Sequence, residues 1–252
     1  MELTVIPHID IEECHLYCVS DVHLGSPDCD EALLSHDIAM IGSDPQARVI
    51  INGDLLQMDT KTSKGDVYHQ VYSPGKQRDM AEQYLTPIKD RILAMLGGNH
   101  DEGRSQEDGT PIKDLSRFLG VTYCDTEACL KVSVGAKRKN GKPAVYTVYA
   151  THGWSNGRQV GSKANSLHGL SNVVLADIYF VSHTHTQMAF PDVFYVPDLY
   201  NNNVRAVRRY YVNAGSYQRR GRYPKSKGMR PTVLGTPMVR LSGTDKAVSV
   251  VL

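Results

Sequence analysis

The chain has 252 residues, 41% of them hydrophobic, and counts 28 Lys plus Arg against 27 Asp plus Glu. That size allows one large domain or two small ones with a sizeable core, and the composition excludes collagen-like, disordered and coiled-coil classes. No apolar run approaches the roughly 18 residues of a membrane span, and the acidic start (Glu2, His8, Asp10, Glu12, Glu13) lacks signal-peptide character. A cytoplasmic protein with no membrane contact is the expectation. The five cysteines (Cys14, Cys18, Cys29, Cys124, Cys129) form an odd set with no Cys-x-x-Cys pair. They read as reduced thiols, half-buried on strands.

In chain order, residues 15–19 form a short apolar run ending in Ser-Asp, which predicts a buried strand. A helix is expected from Asp28, with Pro27 before it and Gly42 past its end. Residues 48–51 are a second strand ending at Asn-Gly-Asp. Residues 61–76, with Gly65, Pro74 and Gly75, read as a loop, and 77–91 as a helix. A third strand, 92–96, runs into Gly97-Gly98-Asn99-His100-Asp101. Residues 111–119 predict a short helix closed by Gly120. Beyond it the texture is β-like, at 130–134, 144–150, 177–181, 193–196, 204–212, 232–241 and 247–252, rich in Val and Tyr. Residues 137–142 (Lys-Arg-Lys-Asn-Gly-Lys) read as a solvated hairpin turn. Strand-helix alternation followed by strand richness predicts an α/β sandwich of two mixed sheets flanked by helices, in one domain spanning 1–252.

Five blocks stand at strand ends: Asp21-Val-His23, Gly53-Asp54, Gly98-Asn99-His100-Asp101, Thr151-His152-Gly153 and Ser182-His183-Thr184-His185. In open α/β sheets ligands gather outside the carboxyl ends of strands, so one rim should collect all five. Strand alternation is the expected reason for the one-residue gaps in Asp21-x-His23 and His183-x-His185. Any one block has an ordinary explanation, since Asn52-Gly53-Asp54 alone is a good turn and a lone strand-end His is commonly structural. Their joint occurrence predicts a site. Asp21, Asp54, His23, His152, His183, His185 and Asn99 supply seven mixed nitrogen and oxygen donors, more than one tetrahedral ion needs and enough for two ions sharing a carboxylate. Imidazole-rich donors without thiolate favour transition metals, Mn foremost, with Fe, Zn, Ni or Co as alternatives. Two such ions about 3.5 to 4 Å apart acidify a bridging water and clamp the oxygens of an in-line displacement, which suits phosphoesters. His100 is placed to protonate the leaving oxygen, with Asp101 expected to fix its tautomer.

These blocks, in this order over roughly residues 16 to 215, resemble the calcineurin-like metallophosphoesterase family. The resemblance implies a two-sheet sandwich with Asp54 bridging two metals. It implies Asp21, His23 and His185 on the first metal, Asn99, His152 and His183 on the second, and His100 as leaving-group acid backed by Asp101. Ser182 departs from the Gly that usually precedes the last His-x-His. Gly53-Asp54 continues as Leu55-Leu56-Gln57, and the third block ends in Asp101, a pattern similar to the family's phosphodiesterases and exonucleases rather than its protein phosphatases.

The neutral total conceals a basic stretch. Residues 205–230 hold Arg205, Arg208, Arg209, Arg219, Arg220, Arg222, Lys225, Lys227 and Arg230 with no acid, interleaved with Tyr210, Tyr211, Tyr217 and Tyr223. Such a mix can neutralise phosphates and stack bases, so DNA, RNA or a nucleotide is the expected substrate, with Arg158, Arg219, Arg220 and Arg222 as candidate contacts. An expected loop, 154–170, follows His152 and holds Arg158 and Lys163 as candidate phosphate contacts and the only tryptophan, Trp154, which reads equally as a residue stacking on a substrate base and as one packing behind the metal ligands. The alternative activities are a phosphomonoesterase or a nucleotide pyrophosphate hydrolase, and from another class a catalytically silent scaffold. His69 and His168 read as exposed loop residues, and His8, His15 and His36 as structural.

Overall fold

The computed structural model describes residues 2–61, 67–102, 110–136, 142–154, 157–221, 225, 228 and 230–252. In one sheet β2 (Glu13–Val19), β3 (Ala47–Asn52) and β4 (Ile92–Leu96) run parallel. β10 (Met238–Ser242) pairs antiparallel with β2, and β11 (Val248–Val251) antiparallel with β10. The second sheet has the order β1 (Leu3–Val5), β5 (Glu127–Val134), β6 (Ala144–Thr151), β7 (Ile178–Val181), β9 (Asn203–Ala214), β8 (Gln187–Asp198). Its β6, β7 and β9 are parallel, and β8 returns antiparallel along the edge.

Side-chain alternation sorts each strand between layers. Leu16 and Cys18 of β2, with Ile50, Ala94 and Leu96, pack against Val132, Tyr146, Val148, Phe180 and Val212 of the other sheet. Tyr17 and Val19 point the opposite way, into a core closed by α1 (Glu31–Ser43), α2 (Pro74–Leu85) and α3 (Pro111–Leu119). On the far face of the second sheet, α4 (Val160–His168) lays Leu167 on Tyr149, Tyr179 and Tyr211. The result is the expected sandwich, two mixed sheets between helical layers. All parallel strands of the first sheet, and β6 and β7 of the second, end on one rim, where the chain changes from apolar strand to polar block.

Several boundaries differ from the sequence expectation for identifiable reasons. α1 starts at Glu31 rather than Asp28, because the Asp30 carboxylate accepts the Leu33 N–H at 3.1 Å and makes Asp30 the cap. Gly42 lies inside this helix. α2 begins at Pro74, within the expected loop, because Ser73 caps it by accepting from Lys76 N. Pro87 then removes a helical N–H, and the chain continues as a 3-10 helix, Thr86–Arg91, instead of an α-helix to Arg91. α3 has the expected bounds and stops at Gly120, whose φ of 71° ends it. α4 replaces part of the expected 154–170 loop. The 193–196 and 204–212 runs are the middle of a longer hairpin paired from Gln187↔Ala214 to Asp198↔Asn203, with Pro191 and Pro197 accommodated on its edge strand. Most of the 137–142 turn, and 62–66 of the 61–76 loop, lie outside the described residues.

All five cysteines are free, and burial pushes the Cys14 and Cys29 thiols up to about 12, which makes them inert rather than nucleophilic. No helix among the described residues is long and apolar enough to cross a membrane. The buried Tyr146 of β6 ties the sheets together at their far end, its hydroxyl donating to the carbonyls of Ser242 (2.6 Å) and Ala247 (3.0 Å). Tyr146→Phe should cost about 1–2 kcal/mol, read as a lower urea midpoint with an unchanged denaturant slope. An unchanged midpoint would mean this tie contributes nothing.

Candidate metal centre

Each block leaves its strand and turns back over the rim in unusual backbone. Asp21 (φ 49°), His23 (54°), Asp54 (51°), His183 (65°) and His185 (50°) all occupy the left-handed region. Non-glycine residues avoid that region because Cβ crowds the carbonyl, so its occupation costs free energy that the surrounding fold must supply. This finding corrects the reason given for the one-residue gaps. β2 ends at Val19 and β7 at Val181, so Asp21, His23, His183 and His185 lie beyond the strands and alternation does not align them. Left-handed turns do, and they send His183 and His185 into different donor groups.

Three groups of donors could hold a metal: Asp21, His23 and His185; His23, Asp54 and His100; and Asp54, His152 and His183, each set lying within 4.8 Å of one another. Asp54 belongs to two of them. Its Oδ2 stands 3.2 Å from His152 Nε2 and 3.8 Å from His23 Nε2, while Oδ1 accepts the His100 backbone N–H at 2.8 Å. Asp21 Oδ1 lies 3.1 Å from His185 Nε2 and 3.8 Å from His23 Nε2, and the His23 and His185 Nε2 atoms approach to 3.2 Å. Asn99, exposed at the rim, places Oδ1 2.8 Å from His183 Nδ1. The structure thus brings together all seven donors and His100.

The donor set fits divalent cations on two grounds. Asp21 Oδ1 and His152 Nε2 are fully buried without a partner in hydrogen-bonding geometry, although His185 Nε2 and Asp54 Oδ2 stand at 3.1 and 3.2 Å. Buried polar atoms are costly to leave so. The charge state tells the same story. Burial opposes ionisation of Asp21, yet His185 and then His23 hold its carboxyl well below the usual carboxylate range. Burial also opposes Asp54, and His152 overrides it. Conversely burial would lower His152, but the Asp54 carboxylate lifts it to about 10, so the centre favours positive charge. His183 is lowered, first by burial and then by His152, which keeps its ring available as a neutral donor.

A second set of groups aims these donors. The carbonyl of Asn52 accepts from His152 Nδ1 (2.9 Å), leaving Nε2 toward Asp54. Its side-chain amide donates to Thr151 O (2.9 Å) and Ser182 Oγ (2.7 Å), stitching the β3, β6 and β7 exits together. Ser182, the departure from the family pattern, is therefore used. Gln57 acts on two histidines: Oε1 accepts from His23 Nδ1 at 3.0 Å, and its backbone carbonyl accepts from His100 Nδ1 at 3.1 Å. Asp59 Oδ2 takes the Gln57 amide N–H at 2.9 Å and fixes the amide's orientation. Asn52 and Gln57 were not expected as site residues. The sequence signal existed, since both flank Gly53-Asp54, but a turn explained Asn52 and nothing singled out Gln57.

Asp101 joins two of the blocks through their backbone. Its carboxylate oxygens accept from the backbone of Leu55 (2.8 Å) and Gly98 (2.5 Å), linking the second and third blocks, and Gln57 supplies the carbonyl at His100 Nδ1. Burial, then the charge of Asp54, raises Asp101 to about 7. The close approach of these blocks explains two glycines: a Cβ on Gly98 would sit 2.2 Å from Asp54 Oδ1 and 2.4 Å from Asp54 N, and one on Gly53 2.6 Å from His152 Nδ1.

The substrate candidates divide. Arg219 is exposed but held by Asp30, through Nε at 2.8 Å and a terminal nitrogen at 2.8 Å. Arg205 pairs with Asp198 at 3.2 Å, and Arg209 is buried with its guanidinium over Phe194. Arg220 is exposed, and Arg222 lies outside the described residues. Arg158 is exposed beside Gly228. Among the described residues the basic stretch is divided: Arg205, Arg208 and Arg209 stand on the β8–β9 hairpin, and Arg230 lies against Gln159. Ser216 Oγ and Tyr217 N both donate to Asp21 O, which does place the chain after β9 at the centre. His168 is tied to Asp192 (2.9 Å) at the end of α4, His69 lies in a 3-10 helix, and His15 clamps Asp44 (2.6 Å) and Glu13 (2.9 Å).

Two substitutions test this geometry by metal content. Gly98→Ala should displace Asp54 and abolish tight binding of at least one ion, measured by elemental analysis, with far-UV circular dichroism retained. Gln57→Leu should weaken metal affinity about 10- to 100-fold in a metal-buffered titration. Wild-type affinity in both would show that neither residue shapes the site.

No protein-family model matches the chain, and no curated protein matches it. Solved structures with similar overall architecture include a conserved uncharacterized protein, a predicted phosphoesterase, from Streptococcus pneumoniae TIGR4, at 13% identity and TM-score 0.42, covering 95% of this chain and 88% of that one. A Vps29 single mutant from Entamoeba histolytica is similar at 13% identity and TM-score 0.42, covering 94% and 89%. A metallophosphoesterase from Sphaerobacter thermophilus is similar at 12% identity and TM-score 0.44, covering 94% and 86%. With every one of these TM-scores below 0.5, the chemistry of the site rests on this chain's own residues, whose ordered blocks and two-sheet setting resemble the calcineurin-like metallophosphoesterases.

Proposed function

We propose that the protein is a metal-dependent phosphoesterase with a dinuclear centre, acting by preference on phosphodiesters of nucleic acid or nucleotides. The observation that carries this reading is the buried Asp54 carboxylate standing between two donor groups, Asp21, His23 and His185 on one side and His152, His183 and Asn99 on the other. Two divalent ions held there, with Mn the first choice and Fe, Zn, Ni or Co as alternatives, would supply an acidified water and polarise the phosphoryl oxygens.

The chain's own residues supply the rest. The Asn52 carbonyl and the Gln57 amide hold His152 and His23 with Nε2 turned to the centre, and His183 and His185 stand on the strained exit of β7. His100 stands at the edge of this arrangement, its ring 4.4 Å from that of His23 and half-exposed. A carbonyl can only accept, so Nδ1 carries the hydrogen shared with Gln57 O, and Nε2 is the nitrogen that would give a proton to the departing oxygen. The open rim, with Asn99 exposed and His183 and His185 partly so, leaves room for groups on both sides of a diester.

Replacing His100 by Ala should lower kcat about 10²- to 10⁴-fold for esters with a poor leaving group, and much less for p-nitrophenyl esters, whose leaving oxygen needs no proton. Metal content should stay at the wild-type level. Equal losses on both substrates would remove the acid role from His100. Hydrolysis of bis-p-nitrophenyl phosphate should exceed that of the monoester under the same metal, and the reverse order would make the protein a phosphomonoesterase.

A further inference from the structure

Beside the metal rim the structure assembles a small cationic surface from segments distant in sequence. Lys163 Nζ donates to Thr184 O at 2.8 Å, and Thr184 is the residue between His183 and His185. Burial lowers Lys163 first, and the positive charge of Arg230 lowers it further. Arg230 in turn donates to Gln159 Oε1 at 3.2 Å. The Arg158 guanidinium lies 4.0 Å from where a Cβ on Gly228 would stand. The end of the basic stretch is thus docked against 158–163, the segment that follows His152 and leads into α4. In the same segment of chain Trp154, two residues beyond His152, is 70% exposed. An indole left in water is uncovered apolar surface that can take a stacked ring.

We propose that Trp154, Arg158 and Arg230 form a subsite for single-stranded nucleic acid, with a base stacked on the indole and the neighbouring backbone phosphates held by the two guanidiniums. Stacking on an exposed aromatic tolerates every base, and arginines beside it neutralise the backbone, so the subsite accepts a strand without reading its sequence. Lys163 is not part of the ligand contact: it holds the Thr184 carbonyl and so joins the cationic surface to the His183-x-His185 turn. The subsite deepens the phosphoesterase reading, on which it rests for the bond to be cut but not for the binding itself.

Trp154 is the only tryptophan, so intrinsic fluorescence reports on this position alone. The full chain, kept in chelator to prevent hydrolysis, is titrated with oligothymidylate, with an abasic oligonucleotide of the same length, and with thymidine monophosphate. Quenching is expected with oligothymidylate at concentrations where the abasic strand and the mononucleotide give little. Equal quenching by the abasic strand, or none by any ligand, overturns the stacking role. A mononucleotide that binds as tightly as the strand overturns the strand assignment. With a labelled oligothymidylate read by anisotropy, Trp154→Ala should weaken binding about 5- to 150-fold. The double charge reversal Arg158→Glu and Arg230→Glu should weaken binding and flatten its dependence on salt, and unchanged salt dependence overturns the phosphate contacts. Hydrolysis plays no part in these readings, so a chain that binds without cleaving contradicts the phosphoesterase reading and leaves this one standing.

Discussion

The rest of the centre is organised around one buried carboxylate. Asp54 is 1% exposed, and taking an ionised carboxyl so far from water is costly unless charge and hydrogen bonds replace the lost hydration. His152 lies against one oxygen and the His100 backbone N–H against the other. To bring these groups so close, the third block must approach without a side chain at Gly98, and Gly53 must leave space for the His152 ring. The β3, β4 and β6 exits are therefore coupled through Asp54, and Asn52 carries the coupling on to Ser182 and the β7 exit. The same carboxylate lifts His152 to about 10, the mark of a centre that favours positive charge.

Strain and packing divide the work. The two-sheet core, with fully buried Leu16, Ile50, Tyr146 and Phe180, is apolar and regular, and it fixes the rim as a rigid frame. Five donors past the strand ends then sit in left-handed backbone that an isolated chain would seldom hold. The core's stability is what holds those donors in place. This arrangement preorganises the donors, so that little reorganisation remains to be done when a cation enters.

How much of this was legible follows from which physics each feature depends on. The order of the blocks and their position at strand ends could be read, because apolar runs locate strands and the carboxyl ends of parallel strands share a rim. α3 was readable from Pro111 and Gly120, which act locally. α4 was not, since Gly161, Ser162, Asn165 and Ser166 are weak helix formers and the helix depends on Leu167 packing against Tyr149 and Tyr179. The left-handed exits were hidden because Asp and His, although they visit positive φ more often than most residues, do so too seldom for residue type alone to announce it. Gln57 and Asn52 act through a backbone carbonyl as well as a side chain, and the former leaves no trace in residue type. The basic stretch was the least legible: among the described residues its even charge in sequence divides in space into a clamp on Asp30, a pair with Asp198, a buried Arg209, and an Arg230 bonded to Gln159.

The central claim is that one carboxylate serves two ions at once. Electron paramagnetic resonance of the protein loaded with Mn(II) tests it most directly, because ions sharing a bridge couple magnetically and isolated ions do not. The account predicts a coupled-pair spectrum at saturation that gives way to an isolated-ion spectrum in Asp54→Asn. A wild-type spectrum of isolated ions at every loading would contradict it.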